Sequence, residues 1–301
     1  MAVTMADITK LRKMTGAGMM DCKNALTEAE GDYDKAMEII RKKGQAVAAK
    51  RSEREASEGC VLAKTTGDYA VVIALKCETD FVAQNADFVK LTQDILDLAV
   101  ANKCKTLDEV KALPMGNGTV QDAVVDRSGI TGEKMELDGY MTVEGASTAV
   151  YNHMNRNGLC TIVAFNKNVD EQLAKQVAMQ IAAMNPQYLS SDDVSDEYKE
   201  REKALLLAQA KNDPKNANKP DNIIEKMIIG RLNKELKEVC LTEQVYVKAE
   251  NKETVAKYVE SVAKAVGCNL TLKSFVRFET GEGLEKKEED FAAEVAAQMG
   301  N

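Results

Sequence analysis

The start of the chain has apolar positions spaced as in three short helices. Apolar residues recur at intervals of three over 8–14, and the glycine-containing segment 16–18 ends this stripe. A second helix is predicted over 20–29, and a third runs from Tyr33 to Gly44. Such a small bundle is more typical of a recognition module than of an enzyme.

The hydrophobic period changes to that of strands after residue 58. Segments 60–65 and 69–77 are predicted strands joined by a Thr-Gly-Asp turn, and a helix follows with its apolar residues, 88–98, on one face. The remaining predicted core elements are strands at 135–143, 149–151, 159–165 and 272–278, a helix that follows Asp170 and a helix that runs through Val255 to Val266. The repeated order of strand and helix indicates two related subdomains.

Two long helical patterns interrupt the second subdomain. Ser195 caps a charged helix that extends to Ala210, and a polar turn follows over 212–220. The next helix has one apolar side, formed by Ile224, Ile228, Leu232, Leu236 and Val239. This pattern predicts an antiparallel helical hairpin that projects from the core.

We therefore predict an α+β fold with helices packed on antiparallel sheets. The predicted parts are an N-terminal three-helix domain at 1–45, a connector at 46–58, core subdomains at 59–145 and 146–279, the hairpin at 195–239 within the second of these, and a C-terminal helical module at 280–301.

Charge and composition narrow the range of partners. The 301 residues carry 40 Lys and Arg against 48 Asp and Glu, a formal net charge of −8. Proteins that hold nucleic acid by neutralising phosphates are usually basic, so we expect no direct nucleic-acid binding. Basic residues do cluster over 35–54, either as the solvated face of a linker or as a patch that faces a partner.

The cysteines and the hydropathy favour a cytoplasmic protein. Seven scattered Cys form no CxxC pair, which argues against a disulfide framework and a standard zinc site. No apolar run is long enough for a membrane span or a signal sequence, so we expect neither membrane insertion nor secretion.

The sequence offers little catalytic chemistry. It has no phosphate-binding loop, dinucleotide fingerprint, HExxH or GxSxG motif. His153 is the only histidine, which excludes His-based metal sites, and we predict no metal ligands. A thiol enzyme that uses Cys77 with His153 as its base remains a distant alternative.

The most informative segment follows the buried strand 69–77. There Thr79, Asp80, Phe81 and Val82 precede a helix, so Phe81 could form an aromatic wedge beside a charged neighbour. The ordinary interpretations are that Asp80 caps a turn or helix and that Phe81 belongs to the core.

Four segments together resemble one family. Thr-Asp-Phe-Val at 79–82 and the run at 11–23 resemble signatures of bacterial elongation factor Ts, and 276–285 and 290–295 also match. The resemblance extends over essentially the whole chain. It implies an N-terminal domain similar to ubiquitin-associated domains, a two-part core, a helical hairpin and a C-terminal module.

The resemblance also implies a function. Members of this family are guanine-nucleotide exchange factors for elongation factor Tu, and the loop that matches 79–82 inserts into the partner's nucleotide-binding domain. It disturbs the binding of Mg²⁺ and phosphates, so that GDP leaves and GTP enters. The chain itself is expected to bind no cofactor.

The resemblance implies further contacts with elongation factor Tu. The N-terminal helices and the C-terminal module are expected to touch the same domain of the partner, and a second loop to touch another domain. The residues singled out are Met19, Met20, Tyr151, His153, Arg156 and Phe291. The second loop departs from the family pattern at residues 154–155. The helical hairpin is a candidate surface for a dimer or a two-to-two complex.

A binding adaptor without exchange activity is the alternative from another class. It would combine a small recognition module with an α+β scaffold, and it would not need the loop at 79–82.

Overall fold

The N-terminal helices form a bundle with its own small core. The computed structural model describes residues 3–213, 216 and 219–282. The three helices are α1 (Met5–Thr15), α2 (Met19–Glu28) and α3 (Tyr33–Lys50). The helix α1 begins with a capping box between Thr4 and Asp7. Buried aliphatic and small side chains fill the centre of the bundle: Ile8, Leu11, Ala17, Cys22, Ala25, Leu26 and Ala36.

The end of the third helix differs from the prediction. Gly44 does not close α3, which continues to Lys50 through an alanine-rich turn with high helix propensity. Gly44 is buried in the helix interior, where a close contact requires it to be small. The predicted connector at 46–58 is therefore partly helical.

The basic residues of 35–54 are largely paired. Arg41 forms ion pairs with Asp122 and Asp126, and Lys43 forms one with Asp21. Arg51 and Arg54 both pair with Glu78. Three arginines of the stretch thus join the N-terminal helices to α7 and to the segment after β2.

The first half of the core is a three-stranded antiparallel sheet with helices on one face. Its elements are β1 (Glu58–Thr65), β2 (Tyr69–Cys77), α4 (Asp80–Ala83), α5 (Ala86–Ala101), α6 (Leu107–Ala112), the short pair β3 (Pro114–Met115) and β4 (Gly118–Thr119), α7 (Val120–Thr131) and β5 (Glu136–Glu144). The strand order is β1-β2-β5, so β2 is central, as its nearly unbroken apolar run predicts.

The second half has a similar layout. Its elements are β6 (Ser147–Asn152), a 3₁₀ turn (His153–Asn155), β7 (Leu159–Phe165), α8 (Glu171–Met184), α9 (Asp196–Asn212), α10 (Asp221–Val239), α11 (Val255–Val266) and β8 (Leu272–Glu279). The strand order is β6-β7-β8, again antiparallel.

The two sheets pack against each other and carry helices on their outer faces. Along β2, Ala70, Val72 and Ala74 point into the layer between the sheets, where they meet Ile162 of β7. The alternate residues of β2 point to the other face and pack with α5 and α7, as Val71, Ile73 and Leu75 do. Both faces of β2 are therefore buried, which explains its continuous hydrophobicity.

Helices α9 and α10 pack mainly on each other. The C-terminal half of α9 meets the start of α10 through Leu206 and Ile224. The opposite ends meet through Tyr198 and Leu236, so the helices run antiparallel. Ser195 caps α9, as predicted. The predicted C-terminal module, apart from residues 280–282, lies outside the described residues.

None of the helices in the described part of the chain combines the length and apolar character that crossing a membrane requires.

Candidate partner-binding site

Phe81 lies on the surface, and most of its side chain is exposed to solvent. It is 84% exposed, although aromatic side chains are usually buried at least in part. It belongs to the four-residue helix α4, which Thr79 caps by accepting a hydrogen bond from the Val82 N–H at 3.4 Å. The interpretation of Phe81 as a core residue is therefore wrong. Asp80 is the first residue of the helix, and the cap is Thr79.

Glu133 holds the loop from the turn between α7 and β5. Its carboxylate accepts the Thr79 hydroxyl at 2.6 Å and the Thr79 backbone N–H at 3.1 Å. It also accepts the backbone N–H of Glu78 at 3.2 Å. Three donors of the loop thus converge on one carboxylate, and hydrogen bonds to a charged acceptor are among the stronger ones in proteins.

Glu78, in turn, contacts the residue that follows Glu133 and two arginines at the end of the N-terminal helices. Its carboxylate accepts the Lys134 backbone N–H at 2.6 Å, and it pairs with Arg54 at 3.0 Å and Arg51 at 3.4 Å. Burial favours the protonated acid, but the Lys134 N–H and the two arginines outweigh it, so the pKa of Glu78 lies below its ordinary value. The end of the N-terminal helices is thereby joined to the loop.

Beneath the loop, the chain is anchored in the first core. Val82 packs against the cluster of buried residues that contains Phe88. Cys77, at the end of β2, is fully buried, and its thiol donates to the Thr79 carbonyl at 3.3 Å. Phe81 therefore projects from a support that is fixed on both sides.

Arg127 of α7 lies between this loop and the N-terminal bundle. Its guanidinium donates to Asn85 at 3.3 Å and pairs with Asp87 at 2.9 Å, directly after α4. A Cβ placed on Gly16 would lie 3.6 Å from the same guanidinium. Arg127 thus contacts both the turn that leads into α2 and the segment that follows Phe81.

Met19 and Met20 open α2 just after that turn. They are 40% and 65% exposed, so both offer apolar surface. Next to them lies a cleft of about 1140 Å³ that is lined by residues of the N-terminal helices, α5 and α7, with Met14, Asp21 and Leu91 among them. Phe81 does not line this cleft.

The second predicted contact loop lies on the other sheet, between β6 and β7. The hydroxyl of Tyr151 and Nδ1 of His153 are 3.2 Å apart, and their rings meet edge to face at 5.9 Å. Met154 is exposed with a φ of 52°, and Arg156 is also exposed. The structure groups these residues with one another, whereas the loop 79–82 follows β2 of the first sheet. Phe291 lies outside the described residues.

Comparison with known proteins identifies the family. A family model described as elongation factor TS matches residues 78–282. The chain is 66% identical to elongation factor Ts of Bacteroides thetaiotaomicron, with 92% of this chain and 98% of the relative covered. It is 49% identical to the protein of the same name from Porphyromonas gingivalis strain ATCC 33277, with the same coverage, and 41% identical to that of Spiroplasma citri, with 99% of each chain covered.

The chain belongs to the elongation factor Ts family. The resemblance noted in the sequence is thereby confirmed, and with it a place in translation elongation. The match to the elongation factor Ts model begins at Glu78, the residue that joins the exposed loop to Arg51 and Arg54.

The geometry argues against a thiol enzyme in this member of the elongation factor Ts family. Burial, together with the charges of Glu133 and Glu58, raises the pKa of Cys77 to about 12, so its thiol stays protonated at neutral pH. His153 lies in an exposed loop beside Tyr151. In the described ranges, no group of three or more His, Cys, Asp or Glu side chains is arranged to hold a metal ion.

Sequence reasoning found the exposed residue and missed its supports. Glu133 and Arg127 stand in a segment whose helix was not predicted, and neither belongs to a recognisable motif. The one available signal was the basic stretch that contains Arg51 and Arg54.

Proposed function

We propose that this chain is the guanine-nucleotide exchange factor for elongation factor Tu. It docks on the GDP-bound partner, inserts the loop Thr79–Asp80–Phe81–Val82, disturbs Mg²⁺ and phosphate binding, and lets GDP leave and GTP enter. The family membership supports the exchange role. The observation that carries the mechanism is the 84% exposure of Phe81 on a loop fixed by Glu133.

An exposed aromatic ring on a loop held by hydrogen bonds is suited to act as a wedge. Leaving it in water has a cost that burial in a partner relieves, by about 1.5–3 kcal/mol for a side chain of this size. Because the loop is already ordered, little conformational entropy is lost when it inserts. The binding free energy can therefore be used to displace groups in the partner.

The wedge alone does not account for exchange. A nucleotide held with nanomolar affinity represents about 12 kcal/mol, which is several times the contribution of one buried Phe. The remainder comes from loss of the Mg²⁺ contact, a large local charge, and from the wider docking surface. Coupling between factor and nucleotide is reciprocal, so excess GTP displaces the factor again.

The wider surface includes other predicted contacts. Met19 and Met20 follow the turn that contacts Arg127, and they offer exposed apolar surface on the N-terminal helices for the same partner. Tyr151, His153 and Arg156 form a second patch for another domain of the partner. The chain needs no cofactor of its own, since it acts on the GDP and Mg²⁺ held by elongation factor Tu.

The hairpin of α9 and α10 remains a candidate surface for a dimer or a two-to-two complex. Its exposed apolar side chains include Leu205, Ile223 and Ile229.

The test is release of a fluorescent GDP analogue from bacterial elongation factor Tu with catalytic amounts of the chain. Wild type is expected to accelerate release, and Phe81→Ala to lower the maximal rate by more than it lowers affinity for the partner. Met141→Ala is the control, because Met141 is an exposed apolar residue, 45% accessible, on β5. Equal losses of rate and affinity in Phe81→Ala would contradict the wedge, and binding without acceleration by wild type would favour the adaptor.

A further inference from the structure

The loop that carries Phe81 is held by two glutamates, each of which binds a backbone N–H in the segment that contains the other. Glu133 accepts the N–H groups of Glu78 and Thr79, while Glu78 accepts the N–H of Lys134. Each carboxylate therefore fixes the segment to which the other belongs. We call this arrangement, formed by Glu78, Thr79, Glu133 and Lys134, the carboxylate clamp.

The clamp is needed because α4 cannot order itself. A four-residue helix has too few internal hydrogen bonds to offset the cost of helix nucleation. The exposed Phe81 side chain contributes little packing to hold its own direction. The helix begins at Thr79, and the Thr79 hydroxyl donates to Glu133 at 2.6 Å while its oxygen caps Val82. The direction of Phe81 thus depends on Glu133.

We infer that Glu133 is a positioning residue for nucleotide exchange, acting through Phe81. This inference rests on the proposed exchange function and adds a residue that stands more than fifty positions away from the loop. Without the Glu133 carboxylate, the loop still reaches the partner but samples many directions. The conformational entropy of the loop is then lost only when Phe81 inserts, so the maximal exchange rate drops. Docking through the rest of the surface persists.

The experiment measures GDP release as a function of factor concentration, so that maximal rate and half-saturating concentration are separated. Glu133→Ala is expected to lower the maximal rate about tenfold or more, the range that follows from losing hydrogen bonds to a charged group. The half-saturating concentration is expected to change less than threefold. Glu133→Gln keeps one acceptor oxygen and is expected to fall between wild type and Glu133→Ala.

Glu109→Gln is the matched control. Glu109 also accepts backbone N–H groups, those of Lys105 and Thr106, but it does so in the capping box of α6. Loss of a carboxylate there is expected to leave exchange unchanged. An equal fall in maximal rate for Glu109→Gln and Glu133→Gln would overturn the inference.

A double-variant cycle tests whether Glu133 acts through Phe81. In a chain that already carries Phe81→Ala, adding Glu133→Ala is expected to lower the maximal rate no further. Independent, multiplying losses would overturn the positioning role. Thermal unfolding of each variant identifies any that fails to fold, and Thr79→Val then provides a second route, since it removes the hydroxyl and keeps the shape of the side chain.

The controls separate two kinds of failure. If wild type does not accelerate GDP release, the proposed function fails. If wild type accelerates release and both Glu133→Ala and Thr79→Val retain its full maximal rate, only the positioning role fails.

Discussion

Gly44 of α3 and Gly129 of α7 bring the backbones of two helices into direct contact. A Cβ on Gly44 would lie 3.3 Å from the Gly129 Cα, and one on Gly129 would overlap the Gly44 backbone. Because glycine alone permits this approach, the N-terminal bundle packs tightly on α7. The same helix leads directly to Glu133, so the crossing also sets the position of the loop's support.

Replacing Gly129 by Ala should therefore destabilise the protein. The new methyl group meets backbone, which cannot rotate away, so α3 and α7 must move apart. Overpacking of this kind costs about 1–3 kcal/mol. Urea unfolding monitored by circular dichroism gives the change in the free energy of unfolding.

Gly230→Ala provides the control in α10. A Cβ at Gly230 would have no heavy atom within 4 Å, and the residue is in a helix interior. Here the substitution is expected to stabilise by about 0.5–1 kcal/mol, the helix-propensity difference. Stabilisation by Gly129→Ala as well would show that the close crossing does not limit stability.

Much of the core could be predicted because its periodicity is strong. The strand 69–77 was predicted with the bounds of β2, and Asp170 caps α8 as expected. Helix α7 was missed, since only Val120, Val124 and Ser128 of its twelve residues are buried, which leaves no continuous apolar stripe. Its place in the fold depends on the Gly44–Gly129 contact, which is between residues distant in sequence.

The candidate site likewise has one part that the sequence could predict and one part that depends on contacts between residues distant in sequence. Phe81 stands in a local motif, so sequence alone could single it out. Its exposure could not be predicted, because an aromatic residue after a buried strand is more often part of the core. Glu133 contacts Thr79 across 54 positions, and one Glu among 48 acidic residues carries no signal of that contact.

The cysteines give a prediction about reactivity. Burial raises the pKa of Cys60 to about 11 and that of Cys160 to about 12, and Cys77 behaves similarly. Since the thiolate is the reactive species, these residues should resist iodoacetamide in the native protein at pH 8. Cys268 is partly exposed and should be labelled first. Peptide mass spectrometry after timed labelling checks this order.

Labelling in denaturant supplies the reference, because all seven cysteines should then react. Native labelling of Cys77 as fast as that of Cys268, with loss of function, would revive the thiol-enzyme alternative.

The pairing of Glu78 predicts a specific acid sensitivity. Burial opposes its charge, but the Lys134 N–H and Arg54 outweigh this, and the pKa in the folded protein lies below the ordinary value of 4.5. Between these two pKa values the unfolded chain binds more protons than the folded one, so stability rises with pH. The contribution of ionised Glu78 is fully present above about pH 4.5 and is lost as the pH falls through the folded pKa. The free-energy difference between wild type and Glu78→Gln should therefore be constant from pH 6 to 7 and shrink below pH 4.5. Urea unfolding across this range measures it.

Glu38→Gln is the comparison, because Glu38 pairs with Lys42 at an exposed position, where an ion pair contributes little. A difference for Glu78→Gln that stays the same from pH 7 down to pH 3 would show that the charge of Glu78 does not stabilise the loop.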